Sequence, residues 1–195
     1  MAHTAAAAAA GGPAPGTRDQ LFGSATSYLE HLSRIVGRLG DAQYTQESRA
    51  LPGSTIGKHV RHVLDHFALL LAALSSATAE PSQPLGPVCY SHRQRDPSVQ
   101  STVAGGQAGI ARTVAAVEAA RRRPLPDTAP ITISDTLPGG AEASFLSTVD
   151  RELWFCIHHM VHHNAIVASL MYEFGMDPPT EFAYAPSTLK HAHSG

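Results

Sequence analysis

Leu153-Trp154-Phe155-Cys156-Ile157-His158-His159-Met160-Val161-His162-His163-Asn164-Ala165-Ile166-Val167 places four of the chain's 12 histidines inside six consecutive residues of an otherwise apolar segment. Around it, Val149, Leu153, Cys156, Met160, His163, Val167, Leu170 and Phe174 recur in alternating steps of four and three, the seam of an amphipathic helix. His163 therefore occupies a core position, and His159, one turn earlier, lies on the same side. His158 and His162 form a second pair of the same spacing, rotated by about 100° from the first. Both pairs cannot face the core, and the seam selects His159 and His163.

Two imidazoles four residues apart on a helix can reach one metal ion, which needs at least one further ligand from elsewhere. The only other histidine-rich stretch inside an apolar helical pattern is Thr55-Ile56-Gly57-Lys58-His59-Val60-Arg61-His62-Val63-Leu64-Asp65-His66-Phe67. Its seam is Ile56, Val60, Val63, Phe67, Leu70 and Leu74. His59, His62 and His66 share one stripe beside that seam, so spacing alone leaves all three open as the third ligand. Asp65 is either a carboxylate that orients an imidazole or a solvated helix residue.

Composition narrows the setting. With 195 residues, 43% of them hydrophobic, the chain suits one domain with its own core. A net charge of −2 supplies no basic footprint, so no nucleic-acid partner is expected. The run Arg121-Arg122-Arg123 complements the C-terminal end of a helix dipole. Cys89 and Cys156 stand far apart in different contexts and define neither a disulfide framework nor a thiolate metal site. No run approaches membrane-spanning length, and a cytoplasmic location is expected, with organellar import the lesser alternative. Residues 1–17, mostly Ala, Gly and Pro, read as a disordered leader. Residues 177–195 read as an extension without helical period.

Between these ends, a first helix runs from Asp19 to about Gly40. A second, capped by Ser54 or Thr55, runs to about Ala77. Pro81, Pro84 and Pro87 then imply a loop. This loop carries Tyr90, Arg93 and Arg95, which could line a site and bind an anion. A third helix runs from Ser98 to the arginine run, weakened by Gly105, Gly106 and Gly109. The alternation from Pro130 to Leu146 around Pro138-Gly139-Gly140 predicts a small β-hairpin. The last helix starts at Ser147 or Thr148 and ends at Gly175. The fold class expected is all-α: an antiparallel four-helix bundle over residues 18–176, with a small β-hairpin before the last helix.

Ser54-Thr55-Ile56-Gly57 followed by His62 and Asp65, together with His159, His163 and then Gly175, resembles the DinB-like superfamily. In that superfamily a four-helix bundle binds one divalent metal through three histidines. The resemblance implies His62, His159 and His163 as the metal ligands, with His66 the next candidate. Asp65, His66, Tyr90, Arg93 and Arg95 are then candidates to orient the ligands or to line a substrate pocket. Where the family commonly has Arg-Gly-Gln after the last ligand, this chain has Asn164-Ala165-Ile166. The metal expected is zinc, iron or nickel, since imidazole donors suit these over magnesium or calcium. The resemblance further implies thiol S-transfer or hydrolysis of a small thiol or anionic substrate, and a homodimer. The alternative is a non-catalytic metal-binding or protein-interaction module.

Overall fold

The computed structural model describes residues 16–76, 84–91, 96–126, 129–179, 181–184 and 188. The expected leader apart from Gly16 and Thr17, most of the tail beyond Tyr184, and the stretch holding Arg93 and Arg95 lie outside the described residues.

Four long helices make up most of the structure: α1 (Thr17–Val36), α3 (Ile56–Ser75), α5 (Val103–Arg121) and α6 (Val149–Glu173). Two single-turn helices, α2 (Asp41–Thr45) and α4 (Pro97–Ser101), join them, and three strands, β1 (Leu85–Val88), β2 (Pro130–Thr136) and β3 (Glu142–Thr148), complete the order. α1 and α3 each pack against both α5 and α6. No helix among the described residues is long and apolar enough to cross a membrane.

The expectation of an all-α antiparallel four-helix bundle is overturned. The described residues form six helices and a three-stranded mixed sheet in the order β1-β2-β3. The expected hairpin is present as β2 and β3, antiparallel with Pro130 opposite Thr148 and Thr136 opposite Glu142. What the all-α reading lacks is β1, which pairs in parallel with β2 through Leu85 opposite Ile131 and Val88 opposite Ile133. Proline argues against a central strand, but an edge strand leaves one side's donors unpaired and tolerates it. Pro87 sits in such an edge. Beside it, Gly86 adopts φ 96°, and a Cβ there would stand 2.7 Å from the carbonyl oxygen of Thr132. Only glycine lets the two backbones approach this closely. Val88, Ile131 and Ile133 are buried, which makes the sheet part of the core.

The expected third helix is two helices. Asp96 caps α4 by accepting from the Ser98 backbone N–H, and Thr102 leaves helical geometry at φ −146° to cap α5 by accepting from Gly105. Each histidine-bearing helix starts at the second of its two cap candidates: the Thr55 hydroxyl accepts from Lys58 N–H and the Thr148 hydroxyl from Arg151 N–H. Every member of the α3 seam is buried, as is every member of the α6 seam before Phe174. Fully burying a side chain such as Phe67 or Leu70 contributes about 1.5–3 kcal/mol. This packing holds α3 and α6 face to face.

Candidate metal centre

α3 presents His59, His62 and His66 along one stripe, and α6 presents His159 and His163 opposite them. Nitrogens of His62, His66 and His159 all lie within 4.8 Å of one another, a group that could hold a metal ion. The Nε2 atoms of His62 and His159 are 2.9 Å apart. Two nitrogens on one tetrahedral zinc, each about 2.0–2.1 Å from it, stand roughly 3.3 Å apart. The His62–His159 pair is a few tenths of an ångström closer than that, and the three nitrogens are near enough together that they could hold one ion.

The orientation of each ring has a cause. His66 donates from Nδ1 to the His62 carbonyl oxygen, 3.0 Å away. A carbonyl can only accept, so the proton is on Nδ1 and the lone pair on Nε2. Tyr90 stacks on the His66 ring with planes 9° from parallel. Phe155, one turn before His159, stacks on that ring with centroids 5.6 Å apart. The Tyr90 hydroxyl donates to Glu152 Oε2 at 3.1 Å and lies 3.8 Å from the Cys156 sulfur. Burial raises the Tyr90 hydroxyl above its ordinary value and pushes the Cys156 thiol up to about 12, so both stay protonated near neutral pH.

His163 is buried and packs edge-on against both His62 and His159, with ring centroids 4.5 and 4.6 Å away. Its Nδ1 meets His59 Nδ1 at 2.8 Å. Burial, reinforced by the imidazoles around it, lowers its pKa to about 2, which keeps it neutral. His59 is lowered too, by burial and then by His162. Both are then held in the form that metal ligation and neutral hydrogen bonding require.

Of the residues singled out in the sequence, the structure thus gathers His62, His66 and His159 into one group and sets His163 against it, bonded to His59. Tyr90 reaches the group through His66. Asp65 is buried and pairs with Arg61 at 3.5 Å. Both line a cavity of about 450 Å³ between α3 and α5, together with Asp96 and Arg112. Arg93 and Arg95 lie outside the described residues. His158 and His162 are exposed, and the His158 ring lies tilted against that of Trp154. Phe155 and Glu152 were not singled out from the sequence. Phe155 carried a signal, since it lies four residues before His159; the part Glu152 plays depends on Tyr90, which only the fold brings to it.

No family model matches the chain, and no solved structure matches it. The chain is similar to FK506-binding protein 5 of Rhizopus delemar, at 36% identity over 64 residues. That stretch is 32% of this chain and 17% of the relative, so the match leaves most of both proteins uncompared.

Proposed function

We propose that this chain is a divalent-metal-binding protein of DinB-like kinship, using its three-histidine group in metal-dependent thiol S-transfer or hydrolysis. The observation that carries the reading is the convergence of His62, His66 and His159 nitrogens within 4.8 Å. The motif Ser54-Thr55-Ile56-Gly57 with His62, and the pair His159 and His163, add the resemblance. An ion held by neutral imidazoles with open positions supplies Lewis-acid activation of a bound water or thiol near neutral pH.

The chain's own residues do the rest. His66 is fixed in the Nδ1–H tautomer by the His62 carbonyl and held in place by the Tyr90 ring. Phe155 packs on His159 and restricts its ring. All three donors are imidazoles, which ligate a metal as neutral groups, and no carboxylate is among them, so the ligand set does not cancel a dication's charge. That favours an anionic substrate, a thiolate above all, and the softness of imidazole favours zinc, iron or nickel. The protein loaded with each of these three metals is expected to turn over a low-molecular-weight thiol with an electrophile, or a hydrolysable ester, with His159→Ala inactive. Equal rates for wild type and variant with every metal would remove the catalytic reading.

The second reading is a non-catalytic interaction module. Phe145 and Leu146 on edge strand β3 favour it, being 51% and 74% exposed. A self-associating chain would cover them, and light scattering of wild type against Leu146→Ser distinguishes a homodimer from a monomer.

A further inference from the structure

His59 stands outside the three-histidine group but inside its hydrogen-bond network. On one side its Nε2 is 2.7 Å from the Ser54 hydroxyl oxygen; on the other its Nδ1 is 2.8 Å from His163 Nδ1. A neutral imidazole carries one N–H and one lone pair. Two facing Nδ1 atoms therefore require one donor and one acceptor. If His59 donates to Ser54, it must accept from His163, and His163 then keeps its lone pair on Nε2. If the chain of bonds runs the other way, His163 carries its proton on Nε2.

The surroundings of His163 choose between the two. With Nδ1 committed to His59, its ring lies edge-on against His62 and His159, at 70° to each. A cation held by those neighbours attracts a lone pair and repels an N–H. Ser54 is only partly buried, so its hydroxyl can accept from His59 and still donate to water. We propose that His59, anchored by Ser54, is a positioning residue: it accepts the Nδ1 proton of His163 and holds the Nε2 lone pair of that ring beside the three-histidine group. The inference rests on the metal-binding reading above and adds His163 to it as a further imidazole offered to the ion; partners that orient a ligating histidine typically change metal affinity 10–100-fold.

The test is zinc affinity by chelator competition in wild type, His59→Leu and His59→Asn, with ¹⁵N-histidine NMR of the zinc-loaded protein. Asparagine keeps an acceptor where Nδ1 was; leucine keeps bulk alone. His59→Leu is expected to weaken zinc binding 10–100-fold, His59→Asn to recover most of it, and the His163 proton to sit on Nδ1 in wild type. The proposal is overturned if His59→Leu binds as wild type does, if asparagine fails to rescue, or if the His163 proton sits on Nε2. A wild type that binds no zinc removes the three-histidine reading and this inference together. A wild type that binds, with an unaffected leucine variant, removes only this inference.

Discussion

Tyr90 lies flat on His66, with ring centroids 5.1 Å apart, while its hydroxyl donates to the carboxylate of Glu152. One side chain from the segment after β1 thus joins a metal-ligand candidate on α3 to a carboxylate on α6 that is 1% exposed. The stack and the hydrogen bond are separable. Tyr90→Phe keeps the ring on His66 and deprives a buried carboxylate of one donor, a loss of about 1–3 kcal/mol. Urea denaturation is expected to show that loss while zinc affinity stays near wild type. A variant of unchanged stability would mean that Ser147 and Arg151, which also bond Glu152, satisfy it without Tyr90.

Gly57 is the glycine of the Thr55-Ile56-Gly57 opening, and packing accounts for it. A Cβ there would stand 2.3 Å from the Gln100 carbonyl oxygen and 2.8 Å from a Tyr44 ring carbon. Alanine has the higher helix propensity by about 1 kcal/mol, yet overpacking of this kind costs about 1–3 kcal/mol. Gly57→Ala is therefore expected to lower the urea midpoint. A raised midpoint would show that α4 yields to the added methyl group.

Glu173, in the last turn of α6, accepts from the Ser48 hydroxyl and the Arg49 backbone N–H, both at 2.6 Å. These bonds hold its carboxyl below the ordinary value of 4.5, the Ser48 bond most of all. As pH falls, the unfolded chain binds the proton first. The contribution of Glu173 to stability is therefore full above about pH 4.5 and disappears as pH falls through the lowered folded value. Glu173→Gln is expected to melt below wild type at neutral pH, with the gap closing in acid. A gap independent of pH would contradict the assignment.

The histidine seam was legible because helical periodicity and burial have the same cause: Met160, His163 and Val167 fall on the buried face of α6. The caps Thr55 and Thr148 were legible because a hydroxyl before an apolar run satisfies a first-turn N–H. β1 was not, since a four-residue strand that contains Pro87 and follows Pro81 and Pro84 carries no period, and its partner β2 lies more than 40 residues away. The break at Thr102 was hidden because a cap within a helical pattern looks like one more helical residue. Spacing could place His59, His62 and His66 on one stripe but could not rank them. The fold resolves their contacts: His62 and His66 meet His159, while His59 meets His163 and Ser54.

The central claim is that His62, His66 and His159 hold one divalent ion, and metal content tests it most directly. Protein without a histidine tag would be analysed by mass spectrometry as isolated and after reconstitution, alongside His159→Ala, with folding of each checked by thermal melting. The account predicts close to one equivalent of zinc, iron or nickel in wild type, a large loss in the variant, and a lower melting temperature for wild type once a chelator removes the ion. Folded wild-type protein that takes up no metal under either condition would contradict it and return these histidines to polar packing between α3 and α6.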